Sequence, residues 1–127
     1  MTLVAALLLA APMGVAAADI ENGAQLFRTN CATCHGLSAR GDGPMTSILE
    51  IQPPDLTQIA PGGVGFPLAE VVRKIDGRDL LAHGGPMPVF GLILEDQSGV
   101  VDAQDGTPVF TSQAVVDIAR WLESVQR

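Results

Sequence analysis

Residues 31–35 read CATCH. They hold both cysteines of the 127-residue chain, Cys31 and Cys34, and His35 follows the second cysteine directly. A disulfide across two intervening residues would close a very short loop, and such a loop adds little stability through chain entropy. We therefore interpret the two cysteines as a redox dithiol, as part of a metal site, or as the attachment point of a cofactor.

The spacing Cys-x-x-Cys-His is the attachment signature of a c-type haem. Two thiols held a fixed distance apart can bond to two vinyl groups along one porphyrin edge, and the next imidazole then reaches the iron. A zinc site would need further Cys or His at ligand spacing, and only His83 remains in the chain. A thioredoxin-like dithiol is expected in a βαβ context, which the sequence does not indicate. We predict one covalently bound haem c, held by Cys31, Cys34 and His35.

A low-spin haem iron in an electron carrier needs a sixth ligand, and three side chains are candidates: Met87, His83 and Met45. A thioether is a soft, neutral ligand that favours Fe(II). Met87 lies between two prolines that stiffen its loop, far enough along the chain to return over the second haem face. We predict Met87 as the ligand, with Met45 near the haem edge and His83 as an exposed loop residue or a propionate contact. Ligation by His83 or Met45 stays open as an alternative.

Residues 1–18 have the pattern of a cleavable signal peptide. The apolar run at residues 3–11 is short for a membrane span, and a break and three alanines follow it. We predict cleavage after Ala18, which leaves residues 19–127 as one domain in the periplasm or otherwise outside the cytoplasm. An uncleaved anchor helix is the alternative. No membrane span is predicted in the mature chain.

The chain is acidic, with a net charge of −7 at pH 7. This charge argues against nucleic acid and anionic membranes as partners and favours redox proteins with a basic docking patch. Four carboxylates are concentrated between positions 95 and 105, where they form either a solvated loop or a docking patch: Glu95, Asp96, Asp102 and Asp105.

Apolar periodicity predicts a mainly α fold. The first helix is expected at about residues 20–30, with Asp19 as its N-cap. The second is expected at 67–76, with Pro67 in its first turn and Gly77 as a left-handed cap. A short helical stretch is expected near 45–50, and residues 95–108 are expected to form a surface excursion or a small hairpin. The last helix is expected at 112–125, and its apolar stripe consists of Val115, Ile118, Ala119 and Leu122.

These motifs together resemble those of a class I c-type cytochrome of the monohaem, bacterial type, over nearly all of residues 19–127. Gly23 with Phe27 resembles the family's helix-one pair, and Ile118 with Trp121 resembles the contact on its C-terminal helix. Three further segments also resemble the family: residues 41–44 (GDGP), 53–57 (PPDLT) and 87–91 (MPVFG).

The resemblance implies a cytochrome c fold of three to five helices wrapped around one covalently attached haem. It implies electron transfer with His35 and Met87 as axial ligands, in a soluble shuttle or in the cytochrome subunit of a redox complex, and no enzyme activity of its own. It also implies that a carbonyl of Pro53 or Pro54 accepts the Nδ1 proton of His35. Three basic side chains are candidates for holding the haem propionates: Arg40, Arg73 and Lys74.

Two other functions stay open at this point. A haem enzyme or a gas-binding haem protein would need an open or labile sixth position on the iron and polar groups around it. A thiol–disulfide oxidoreductase would use Cys31 and Cys34 as its redox pair.

Overall fold

The computed structural model describes residues 17–79, 83 and 85–127. The predicted signal peptide, residues 1–18, therefore lies outside the described residues except for positions 17 and 18. The described part of the chain contains five α-helices, which are α1 (Ile20–Asn30), α2 (Ala32–His35), α3 (Leu68–Asp76), α4 (Phe90–Ile93) and α5 (Gln113–Ser124). It also contains the strands β1 (Ser98–Asp102) and β2 (Pro108–Ser112), and three 3₁₀ turns at Pro44–Ile48, Leu56–Gln58 and Pro61–Gly63. No helix in these ranges is long and apolar enough to cross a membrane.

Helices α1 and α5 pack closely where Gly23 faces Asp117. A Cβ atom at Gly23 would lie 2.1 Å from the Asp117 carbonyl oxygen, so only glycine allows the two backbones to approach this far. One turn further along α1, Phe27 is 1% exposed, and its ring centroid lies 4.5 Å from that of Trp121. The predicted contact between the first and last helices is confirmed.

Two carboxylates secure the start of α1. The Asp19 side chain accepts a hydrogen bond from the Asn22 backbone N–H at 2.9 Å, which confirms the predicted N-cap. The buried Asp117 carboxylate in α5 accepts from the Asp19 backbone N–H at 3.0 Å, from Asn22 Nδ2 at 2.8 Å and from Gln113 Nε2 at 2.9 Å. Because this carboxylate is buried, its three donors offset the cost of removing it from water.

Helix α5 agrees closely with the prediction. It begins after Ser112, whose hydroxyl accepts from the Val115 backbone N–H at 3.3 Å. All four residues of the predicted apolar stripe are buried: Val115, Ile118, Ala119 and Leu122.

Helix α3 also forms where the sequence predicts it. Pro67 is the N-cap rather than a residue of the first turn. Gly77 ends the helix in the left-handed conformation, with φ 74° and ψ −5°, and its N–H donates to the Arg73 carbonyl at 3.0 Å. Val72 and Ile75 on this helix belong to the apolar core.

Of the two forms expected for residues 95–108, the structure has the hairpin. Strands β1 and β2 are antiparallel, with Ser98 opposite Ser112, and Gly106 takes a φ of 81° in the connecting turn. The Asp105 carboxylate accepts from the Thr107 backbone N–H at 2.9 Å, and this hydrogen bond lowers the pKa of Asp105. The second strand extends to Ser112 and leads directly into α5, further than the predicted limit of residue 108.

Asp76, the last residue of α3, joins three elements. Its carboxylate accepts two hydrogen bonds from the Arg78 guanidinium, at 2.8 and 2.7 Å, and one from the Thr111 hydroxyl of β2 at 2.6 Å. The Arg78 hydrogen bonds are the main reason why the pKa of Asp76 lies below its usual range. The carboxylate also lies against α4, because a Cβ at Gly91 would come within 2.6 Å of it.

Candidate functional site

The CATCH segment forms a single helical turn that follows α1 almost without interruption. Cys31 is the C-cap of α1 and donates its backbone N–H to the Phe27 carbonyl at 2.8 Å. The His35 N–H donates to the Cys31 carbonyl at 2.9 Å, and Gly36, with a φ of 77°, ends the turn. This geometry holds the two thiols and the imidazole on one short, hydrogen-bonded unit at the end of α1.

The turn borders a cavity of about 480 Å³. This volume is within the range of roughly 300–1,000 Å³ that is usual for cofactor sites. The cavity is lined mostly by apolar side chains. Cys31, Cys34 and His35 of the CATCH turn border it, and so does Met87. From the core, the cavity is bordered by Phe27, Ile75, Phe90, Ile118 and Leu122.

His35 has the protonation state that an iron ligand needs. Burial lowers the pKa of His35, so the ring is neutral at neutral pH, and it is the neutral imidazole that binds metals. Its Nδ1 atom is buried and has no hydrogen-bond partner among the described residues.

The expected bond from His35 Nδ1 to a proline carbonyl is not found. The carbonyl oxygens of Pro53 and Pro54 lie instead against Gly41, where a Cβ would come within 2.2 and 3.0 Å of them. The Gly41 N–H in turn donates to the His35 backbone carbonyl at 2.8 Å. The proline segment is therefore held next to His35 through the backbone of residue 41, rather than through the imidazole ring.

The thiol of Cys31 is poorly suited to disulfide exchange. Burial, with a smaller contribution from the nearby Cys34, raises the pKa of Cys31 to about 12. A thiol with this pKa is protonated at neutral pH, whereas a redox-active dithiol needs a thiolate with a lowered pKa. Both cysteines are free of disulfides in the structure. Cys31 is therefore unsuited to be the attacking thiol of a dithiol oxidoreductase.

His83 does not have the position expected for it. It is buried, with 5% of its surface exposed, so the interpretation as an exposed loop histidine is wrong. Its Nδ1 lies 3.0 Å from the Lys74 carbonyl oxygen, and its Nε2 makes a shorter contact with the Met87 carbonyl oxygen. Both nitrogens therefore face backbone groups, and unlike Met87 the residue does not border the cavity.

The remaining candidates are distributed around the site. Met45 lies in the 3₁₀ turn Pro44–Ile48 and does not border the cavity. Of the three propionate candidates Lys74 borders the cavity, whereas Arg40 and Arg73 do not. The cavity is also bordered by two polar residues that sequence reasoning missed, because neither belongs to a motif: Asn30 and Gln52.

The family model for Cytochrome c matches residues 20–126. The chain belongs to the cytochrome c family. No curated protein and no solved structure was found to match the chain. Membership identifies a class I c-type cytochrome whose cofactor is one covalently attached haem c, with a role in haem-based electron transfer. It also implies redox proteins as partners and an electron carrier rather than an enzyme.

The residues around the cavity fit this cofactor. Two reduced thiols and a neutral imidazole lie on one turn, and they border a mostly apolar cavity that also receives a thioether. Thiols for covalent attachment, an imidazole and a thioether as possible iron ligands, and apolar surroundings suit a haem c.

Replacement of both attachment thiols, Cys31→Ala with Cys34→Ala, is expected to give a largely unfolded protein. The haem would fill the central cavity of a core that has few aromatic side chains, and its binding free energy contributes to folding. Circular dichroism during heating of the double variant, produced alongside a cytochrome c maturation system, measures the effect. Thr33→Ala, an exposed change between the two cysteines, is the matched control and is expected to keep the haem and the native melt. A cooperative, native-like melt of the double variant without haem would contradict this prediction.

Proposed function

We propose that this protein transfers single electrons through one haem c bound to Cys31 and Cys34, with His35 and Met87 as the axial ligands of the iron. The observation that carries this proposal is the convergence of the CATCH turn and the Met87 loop on one mostly apolar cavity. The carrier acts as a soluble shuttle or as the cytochrome subunit of a redox complex.

Each residue has a defined task in this mechanism. The haem, when bound, supplies an iron that accepts and releases one electron. The thiols of Cys31 and Cys34 hold it covalently, and the neutral His35 ring supplies a ligand nitrogen. As a ligand, the thioether of Met87 would stabilise Fe(II) more than a second imidazole would. It would therefore raise the reduction potential of the haem. The apolar lining excludes water, and exclusion of water also favours the less charged, reduced state.

Met87→Ala is expected to abolish the weak far-red absorption band of the oxidised protein, because this band arises from a sulfur–iron bond. Met45→Ala is the matched control, since it removes a thioether that does not border the cavity, and it is expected to keep the band. A low-spin spectrum without the band in the native protein would indicate another strong ligand in place of Met87. A high-spin spectrum would indicate an open sixth position and would favour a haem enzyme or a gas-binding protein.

We also propose that the partner docks through a basic patch on its own surface. Glu95, Asp96, Asp102 and Asp105 are all exposed. These carboxylates follow α4, where Leu92 and Ile93 are 61% and 58% exposed. Exposed apolar side chains and exposed carboxylates are therefore close together in the segment after Met87. Electrostatic steering by such a patch raises the association rate and makes it depend on salt.

Conversion of these four carboxylates to amides is expected to slow electron transfer to a cationic metal complex and to weaken its dependence on ionic strength. Stopped-flow rates at several salt concentrations measure both quantities. A control variant carries four exposed carboxylates converted to amides elsewhere on the chain: Glu21, Asp42, Glu50 and Glu70. If both variants show the same salt slope, only the net charge matters and the docking patch is refuted.

We also propose that the protein is exported and that residues 1–18 are removed. The Asp19 backbone nitrogen lies 3.0 Å from an oxygen of the buried Asp117 carboxylate. Cleavage after Ala18 would turn this amide into an α-ammonium group, and a charged donor bonds a carboxylate more strongly than a neutral one. In a mature chain that begins at Asp19, this contact would therefore be stronger.

A protein that begins at Asp19 is expected to be more stable than one that retains Ala18, by about 1 kcal/mol, because only the former pairs an ammonium group with Asp117. Thermal melts of the two forms give the difference, and Asp117→Asn is expected to remove it. The intact mass of the exported protein identifies the cleavage site directly. Export with residues 1–18 retained would refute the processing step.

A further inference from the structure

The Met87 loop, residues 85–88, has few backbone N–H groups that could form hydrogen bonds within it. Pro86 and Pro88 flank Met87, and neither has a backbone N–H to donate. Among the described residues, the one group that hydrogen-bonds to segment 85–88 is the His83 ring, through the Met87 carbonyl. The hydrogen bond described for this loop therefore involves a residue outside it.

The His83 ring is itself firmly placed. It is 5% exposed, its Nδ1 lies 3.0 Å from the carbonyl oxygen of Lys74 in the last turn of α3, and its backbone N–H donates to the Asp79 carbonyl at 2.9 Å. It also packs on the glycine cap of that helix, since a Cβ at Gly77 would come within 2.9 Å of Nδ1. One ring thus joins the end of α3 to the backbone of Met87.

Both atoms that the ring faces are acceptors. A carbonyl oxygen gains a hydrogen bond only from a nitrogen that carries a proton, and the contact of Nε2 with Met87 is the shorter of the two. A ring protonated on Nε2 therefore satisfies the Met87 carbonyl, and a proton on Nδ1 satisfies Lys74 as well.

We propose that His83 is a positioning residue for Met87: it donates its Nε2 proton to the Met87 carbonyl and so holds the ligand loop against the end of α3. This inference rests on the proposed ligation by Met87. His83 acts through the loop and does not bind the iron. Without this bond the loop opens more often, and external ligands reach the iron more easily.

Two amide variants test the contacts of the two His83 ring nitrogens separately. The side-chain nitrogen of Gln occupies about the place of Nε2, so His83→Gln keeps a donor for Met87. The nitrogen of Asn occupies about the place of Nδ1, so His83→Asn keeps only the contact with Lys74. We expect His83→Gln to bind imidazole as the native protein does, and His83→Asn to bind it about five- to tenfold more tightly, as the loss of one hydrogen bond predicts.

The readouts are imidazole titrations of the oxidised holoprotein, followed by loss of the far-red band. Val72→Ala, a buried change in α3 that does not border the cavity, is the control for lowered stability and is expected to leave imidazole affinity unchanged. Equal imidazole affinity in His83→Asn and the native protein, with the far-red band present in both, would overturn the positioning role and leave the Met87 ligation intact. Absence of the band from the native protein would overturn both.

Nitrogen-15 NMR of the reduced native protein tests the same bond without any variant, and so applies even if His83→Asn does not fold. A proton on Nε2 of His83 that exchanges slowly with solvent is expected. A ring protonated on Nδ1 alone would refute the proposal.

Discussion

The separation between two thiols and one imidazole is the constraint on which the rest of this structure depends. Attachment to the fixed edge of a porphyrin, as proposed for Cys31, Cys34 and His35, requires that these three groups lie on one rigid turn. That turn is rigid because it continues from α1, and α1 is held in place by its contact with α5 at Gly23 and by the Asp117 carboxylate. The packing of α1 against α5 thus determines where the two thiols and the imidazole lie.

The end of α3 organises the other side of the site. The Asp76 carboxylate accepts hydrogen bonds from Arg78 and Thr111 and lies against Gly91 in α4. Gly77, which has no side chain, leaves room for the His83 ring. The Met87 loop contains two prolines, which have no backbone N–H to donate. Its Met87 carbonyl contacts the His83 ring, which in turn contacts the Lys74 carbonyl at the end of α3, so one side chain connects this irregular backbone to the neighbouring helix.

Burial next to the cavity has one electrostatic consequence for two different groups. It raises the pKa of the Cys31 thiol and lowers that of the His35 imidazole, because in both cases a low-dielectric environment disfavours the charged form. The same environment keeps the Cys31 thiol protonated and the His35 imidazole neutral, which is the form that binds a metal. The CATCH motif by itself allows a redox dithiol, a metal site or a cofactor attachment site. The burial of its side chains reduces these possibilities.

The sequence by itself determined the attachment motif, the three longer helices with their caps, and Met87 as a candidate ligand, because these follow from local spacing and periodicity. Tertiary structure alone decided the partners of the buried polar groups, such as Asp117 with Asp19, 98 positions apart, and Asp76 with Thr111, 35 positions apart. It also placed His83 in the interior and directed the proline carbonyls to Gly41 instead of the His35 ring. Periodicity shows which face of a helix is buried, but the partner of a buried donor depends on how distant segments pack together.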